Sequence, residues 1–558
     1  MTLLRLPIRL TLAAALLAGA STLLVSPQAA APDRAWITVL STTDLHGNIL
    51  PVDYYADRPD ARGLAKVATL VRQVRRENPG GTLLVDSGDT IQGTPLAYMH
   101  NRRNNTPPDP MMLAMSTLGF DAMAVGNHEY NFGLTVLEKA RREARFPWLS
   151  ANTYRRGSSE GPYLPYVVKE VQGVRVGILG LTTPGIPAWE NPENYAGLEF
   201  RDPVAEATRR VAYLRDQERV DLVVVAAHTG VEEDLPTGEP FPAQVAQENT
   251  ALALARQVPG IDVLLMGHTH RDVQSLTVNG VSMLQADSWG RRLGRADVVL
   301  TRGANGRWTK ASTQLRLMPV TDATVPDPEI VKLAEPYDRE TRDWLSRPIG
   351  ESAEELSAQD GYFNDTAILD LIHRVQMDVG KADVSMVANF NTRARLPKGR
   401  VTVRDIAGLY IYENTLVVLE VTGRQLKEAL EHSAKFFGPH GAGQSPAQQI
   451  DNRIPGFNFD IAEGVTYDLD ITRPVGDRVQ NLRFRGQPLD PARTLRLATN
   501  NYRVNGGGGY TMYAGAKEVY RSSDEIRELI IAWIEKNPQV PTTPTENWRL
   551  VSDAPAVR

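Results

Sequence analysis

Trp36-Ile37-Thr38-Val39-Leu40-Ser41-Thr42-Thr43-Asp44-Leu45-His46-Gly47-Asn48 joins an apolar, β-branched run to a polar cluster, and that junction decides the fold. The apolar part reads as a strand buried on both faces. Residues 82–85, 122–125, 174–181, 222–227 and 261–266 have the same character and alternate with helical-looking stretches, which predicts an α/β layered domain. Four of these runs also end in polar clusters: Asp86-Ser87-Gly88-Asp89, Gly126-Asn127-His128-Glu129, Ala227-His228-Thr229 and Gly267-His268-Thr269-His270. Ligand sites of open α/β sheets lie at the carboxyl ends of strands, so all five clusters are expected to meet in one crevice. If the chain stays extended after the first strand, Asp44 and His46 project the same way.

The clustered side chains are carboxylates, imidazoles and an amide, hard to borderline donors that suit two divalent ions of Zn, Mn, Co or Fe. A lone strand-end Asp is ordinarily a turn residue, and a lone His an ordinary core or surface residue. Five of the nine histidines fall in these clusters, which scattered structural histidines would not do. There is no cysteine, which removes disulfides, thiolate metal sites, a cysteine nucleophile and a lipoprotein anchor.

Working outward, Ile330, Leu333, Tyr337 and Trp344 recur at helical spacing after Val325-Pro326-Asp327-Pro328, so a linker helix is expected over 327–346, with Pro348 stopping it. Beyond Gly350, helical patterns at 366–379, 424–434 and 523–536 mix with strands such as 416–421, a second α/β domain. Upstream, Arg5 and Arg9 precede an uncharged run of 16 residues from Leu10 to Val25 and the small residues Ala29-Ala30-Ala31. The run is shorter than the roughly 20 residues that span a bilayer, so it reads as a signal peptide cleaved near Ala31, leaving a periplasmic or secreted protein with no membrane segment. The expected organisation is therefore a signal peptide at 1–31, a first domain at 35–320, a linker helix at 321–350 and a second domain at 351–552. Against 66 acidic residues stand 61 basic ones; this near balance argues against a polymeric nucleic-acid partner or a polybasic membrane surface.

The ordered set Asp44-x-His46, Gly88-Asp89, Gly126-Asn127-His128-Glu129, His228 and Gly267-His268-x-His270 resembles the calcineurin-type metallophosphoesterase signature. Together with the second domain it resembles the bacterial nucleotidase family over essentially the whole mature chain. The resemblance implies a layered βαβ metallophosphoesterase sandwich, a linker helix and a second α/β nucleotide-binding domain. It implies that Asp44, His46 and His270 hold one metal, that Asn127, His228 and His268 hold another, and that Asp89 bridges them. Paired cations about 3.5 to 4 Å apart supply hydroxide at neutral pH and neutralise phosphoryl charge, with no covalent intermediate. The family role of His128 is to stabilise the transition state or protonate the leaving oxygen.

The 5′-nucleotidase branch has an Asp three residues after this His; here Asn131 stands there and cannot supply a charge. That resembles the 2′,3′-cyclic-nucleotide 2′-phosphodiesterase/3′-nucleotidase branch, as do residues 409–416, Gly456-Phe457-Asn458-Phe459-Asp460 and Thr499-Asn500-Asn501-Tyr502-Arg503. The resemblance implies that Phe457 and Tyr502 sandwich the nucleobase and that Arg393 stands on the phosphate side; a solvated basic loop is the other reading of Arg393. In 5′-nucleotidases an Asp within the last glycine motif helps hold the ribose, and Gly508 replaces it here. The expected activity is opening of 2′,3′-cyclic nucleotides to 3′-nucleotides, then removal of that phosphate, by a monomer acting on small nucleotides. A 5′-nucleotidase or UDP-sugar hydrolase is the alternative, and a non-catalytic ligand-binding surface protein the second.

Overall fold

The computed structural model describes residues 33–553 except 236, 241–245, 413 and 442, so the expected signal peptide and Glu413 of the 409–416 motif lie outside the described residues. Two six-stranded sheets form the first domain. In one, Arg34–Thr42, Thr82–Asp86, Ala122–Ala124 and Trp148–Leu149 run parallel, and Arg292–Arg302 and Trp308–Pro319 add antiparallel strands at one edge. In the other, Val174–Thr182, Leu222–His228, Val263–Met266 and Val281–Ala286 run parallel, flanked by the antiparallel Tyr166–Val171 and Asp272–Val278.

Each central strand buries alternate residues on opposite faces, as the two-residue period of a strand requires. Leu222, Val224 and Ala226 join Ile37, Val39, Leu83 and Val85 in a core between the sheets. Val223, Val225 and Ala227 instead pack under the helices Pro203–Asp216 and Ala251–Gln257. On the outer face of the first sheet, Leu40 and Leu84 belong to the cluster that includes the helices Leu64–Glu77 and Pro110–Leu118. The result is a four-layered sandwich rather than a single open sheet, and burial on both faces is why these strands are apolar throughout.

The expected linker helix forms as Pro328–Leu345. Asp327 caps it, accepting bonds from the backbone N–H of Glu329 at 3.0 Å and Ile330 at 3.3 Å, and Pro328 occupies its first turn, where no N–H is needed. It packs mainly against the helices Leu64–Glu77 and Pro110–Leu118 of the first domain, with Ile330, Ala334, Thr341 and Leu345 buried and Trp344 stacked on Tyr98. The second domain has a five-stranded sheet in the order Asp460–Glu463, Val384–Ala388, Thr494–Asn500, Thr415–Thr422, Lys517–Glu525, with a four-stranded sheet beside it. Its last helix is Ile526–Lys536; residues 523–525, expected as helix, complete the preceding strand.

Candidate metal centre

The parallel strands of both sheets end on the same side, and the five polar clusters meet there. One group of donors is Asp44, His46 and His270; the other is Asp89, His228 and His268. His46 Nε2 lies 3.0 Å from His270 Nε2, and His270 Nε2 3.4 Å from Asp44 Oδ1. Asp89 stands between the groups, its Oδ2 3.0 Å from His228 Nε2 and 3.9 Å from His46 Nε2. Asn127 Oδ1 lies 3.0 Å from both His228 Nε2 and His268 Nδ1. All seven residues that the sequence singled out as ligands are therefore in one place.

Asp44 and His46 do not reach it by extended chain. Their φ angles are 50° and 46°, and Asp89, His268 and His270 are also left-handed, at 61°, 72° and 51°. L-residues populate that region at a cost, and such strain concentrates where the backbone is held for a functional purpose. Gly126 is required by close approach: a Cβ there would lie 2.2 Å from Asp89 Oδ1.

The histidines are orientated from outside. His46 Nδ1 bonds Gln92 Oε1 at 3.0 Å, His228 Nδ1 bonds the Ser87 carbonyl at 2.8 Å, and His268 Nε2 faces Glu248 Oε1 at 3.3 Å. An acceptor on the outer nitrogen keeps a proton on that side, so the inner nitrogen is the one that gives up its proton to serve as a metal ligand. This donor set, with two buried carboxylates and an amide oxygen, fits a pair of divalent cations. Burial alone would raise the Asp89 carboxyl, but the charges of His228 and His128 and the bond from His228 hold it well below the usual carboxylate range. His46 is pushed down to about 4, first by burial and then by His270. Against burial, Asp89 lifts His228 to about 10.

Glu129 braces the centre from below, its carboxylate accepting the backbone N–H of Asp89 at 3.0 Å, Thr90 at 2.5 Å and Gly126 at 2.7 Å. His128 follows Asn127, and its ring lies edge-on to His46 at 5.2 Å. His128 Nδ1 is 2.6 Å from Asn131 Oδ1, and Asn131 Nδ2 donates to Glu190 Oε2 at 2.6 Å. A carboxylate thus stands one hydrogen bond beyond Asn131, where the motif alone shows none. The sequence reading missed Gln92, Glu248 and Glu190, all distant in the chain from the residues they support and marked by no motif.

In the second domain Phe457 and Tyr502 are half-buried and share one support, Arg503. Its guanidinium is fully buried, pairs with Asp460 at 2.7 Å, donates to the Phe457 carbonyl and lies 5.3 Å from the Tyr502 ring centre. Tyr412 meets Phe457 edge-on at 6.3 Å and Phe390 at 5.2 Å, extending the aromatic surface beyond the two rings expected. A Cβ on Gly508, whose φ is 71°, would lie 2.4 Å from Arg503 Nη1, so no side chain fits there. Arg393 is exposed on the loop after Val384–Ala388, three residues from Phe390. The domains meet at this level: Asn505 Nδ2 donates to the Glu190 carbonyl at 3.3 Å and Arg521 Nη1 to Asn191 Oδ1 at 2.7 Å.

A four-layered α/β sandwich whose strand ends carry two histidine–carboxylate clusters, joined to a second α/β domain, is the architecture of a metal-dependent phosphoesterase. The comparisons agree: residues 37–272 match the calcineurin-like phosphoesterase model, and residues 348–515 match the C-terminal domain of 5′-nucleotidases. The chain is 32% identical to a 2′,3′-cyclic-nucleotide 2′-phosphodiesterase/3′-nucleotidase of Haemophilus influenzae, over 92% of this chain and 87% of the relative. It is 30% identical to the protein of the same name in Salmonella typhimurium, over 95% and 91%. The crystal structure of a candidate 5′-nucleotidase from Staphylococcus aureus, solved with α-ketoglutarate, superposes with a TM-score of 0.82 at 28% identity, over 92% of this chain and 100% of that one. The chain belongs to the nucleotidase family that joins a calcineurin-like phosphoesterase domain to a 5′-nucleotidase C-terminal domain, and it is a hydrolase of phosphoester bonds.

Proposed function

We propose that this protein is an exported, monomeric hydrolase that opens 2′,3′-cyclic nucleotides to 3′-nucleotides and then converts these to nucleosides and phosphate. Similarity along nearly the whole chain to relatives named for both activities carries this reading. Among the described residues, no helix is long and apolar enough to cross a membrane.

Asp44, His46 and His270 would hold one divalent cation, Asn127, His228 and His268 the other, and Asp89 both. When bound, such a pair lowers the pKa of a shared water and neutralises charge on the phosphoryl oxygens. The remaining work belongs to the chain. His128 Nδ1–H is engaged by Asn131, so Nε2 is the atom that carries a proton to the leaving oxygen: O2′ of a cyclic nucleotide, then O3′ of the 3′-nucleotide. Phe457 and Tyr502 would stack on the base, at roughly 1–3 kcal/mol per base whatever its identity, and Arg393 would attract the phosphate.

The second reading is a 5′-nucleotidase, favoured by the C-terminal domain model and the solved structure. Purified protein with Mn²⁺ should hydrolyse 2′,3′-cAMP and 3′-AMP faster than 5′-AMP or UDP-glucose. A faster rate on 5′-AMP would overturn the assignment, and inertness on all four would favour a ligand-binding protein.

A further inference from the structure

Glu190 is buried, with 5% of its surface exposed, at the end of the short helix Ile186–Trp189. Three N–H donors converge on its two oxygens. The backbone N–H of Asn191 (2.6 Å) and Asn194 Nδ2 (2.9 Å) reach Oε1, and Asn131 Nδ2 (2.6 Å) reaches Oε2. A carboxylate surrounded in this way offers acceptors only, so the NH₂ of Asn131 must face Glu190 and its carbonyl must face His128. The carbonyl in turn demands a proton on His128 Nδ1, 2.6 Å away. One acidic side chain therefore dictates both the direction of an amide and the tautomer of an imidazole that it does not touch. The segment that carries it is seated on the second domain by Asn505, which donates to the Glu190 carbonyl, and by Arg521 on Asn191.

We propose that Glu190 is a positioning residue for His128, acting through the side-chain amide of Asn131; this rests on reading His128 as the proton carrier above. The arrangement does the orientating work of a direct Asp–His pair with the carboxylate displaced by one amide. It also makes a specific statement about substitutions. In Glu190→Gln, the new amide oxygen is claimed by the two donors of Asn191 and Asn194, so its NH₂ faces Asn131. Asn131 must then turn its own NH₂ toward His128, which forces Nδ1 to accept and moves the ring proton to Nε2. In Asn131→Asp, two carboxylates face each other at hydrogen-bond distance. Combining the two restores complementarity: the carboxylate introduced by Asn131→Asp accepts from His128 Nδ1–H on one oxygen and, on the other, from the NH₂ introduced by Glu190→Gln.

The test is a double-mutant cycle on the full-length, Mn²⁺-loaded protein with bis(p-nitrophenyl) phosphate and 2′,3′-cAMP as substrates, each variant checked by thermal melting. Each single substitution is expected to lower kcat roughly 10- to 100-fold, the range typical of groups that orientate an active-site histidine, with KM within about twofold. The double variant should recover most of that loss, a rescue that simple damage to packing would not produce. Wild-type kcat in Glu190→Gln would overturn the proposal, as would a double variant no faster than Asn131→Asp alone. If Glu190→Gln does not fold, the second comparison still decides. Should the wild type cleave bis(p-nitrophenyl) phosphate but no cyclic nucleotide, the substrate assignment fails while the cycle on the first probe still tests Glu190.

Discussion

At the scale of single residues, the aromatic surface of the second domain rests on a buried cation, Arg503. Arg503 and Asp460 are 0% and 2% exposed, and the guanidinium also holds the Phe457 carbonyl, Asn458 Oδ1 and the ring of Tyr502. Removing it leaves a carboxylate buried without a partner, which costs about 3–5 kcal/mol. Arg503→Met should therefore lower the melting temperature by several degrees and, by releasing both aromatic supports, raise KM for nucleotides more than it lowers kcat. Arg503→Met combined with Asp460→Leu should regain most of the stability and none of the affinity. Equal losses in both variants would mean that the ion pair itself stabilises the fold.

At the scale of elements, the helix Ala367–Gly380 opens on an acidic contact with the C-terminal segment. Asp370 accepts the backbone N–H of Thr545 at 2.8 Å, Asp365 that of Asn547 at 3.1 Å, and Thr545 donates to Glu463 at 2.6 Å. Burial, then repulsion from Asp365 and Glu463, pushes the Asp370 carboxyl up to about 7. A folded-state pKa above the unfolded value of 3.8 gives stability that is complete below pH 3.8 and lost as pH rises through 7. Asp370→Asn keeps an acceptor for Thr545, adds a donor toward Asp365, and never ionises. Its melting temperature relative to the wild type should therefore rise between pH 5 and pH 8, by an amount corresponding to about 1–3 kcal/mol. A difference independent of pH would show that the carboxyl is already charged at pH 5.

The same scale explains what could be read in advance. The strands were legible because burial on both faces makes them continuously apolar, and the donor clusters because they stand at strand ends in motifs of their own. The extended reading of Asp44 and His46 failed because left-handed backbone at non-glycine residues has no sequence mark. The layered sandwich was expected from the family resemblance alone, because in hydrophobic pattern a strand covered by a helix and one covered by another sheet look alike. Gln92, Glu248 and Glu190 act across 46, 20 and 59 residues of chain, and a polar residue in a loop carries no sign of what it will touch.

At the scale of the whole molecule, the two proposed reactions require the nucleotide to turn between them, since O2′ leaves in the first and O3′ in the second. The base would be held by one domain and the phosphorus by the other, so the domains must shift or the base must be released. The surface between them suits a shift. Its rim carries part-exposed ion pairs: Arg404 meets Asp57 at 3.1 Å, and Arg103 pairs with Glu528. Exposed pairs of this kind are worth roughly 0–1 kcal/mol each and break at little cost. Because the chain has no cysteine, Arg103→Cys with Glu528→Cys places the only two thiols in the molecule across this rim, away from the metal ligands. Bridging these thiols with a bis-methanethiosulfonate linker that spans the former ion pair is expected to lower kcat on 2′,3′-cAMP at least tenfold, and dithiothreitol to restore it, while the unlinked protein stays close to the wild type. If the crosslinked form turned over both cyclic and 3′-nucleotides at full rate, the ligand would have to reorient within a fixed cleft, and interdomain motion would play no part in catalysis.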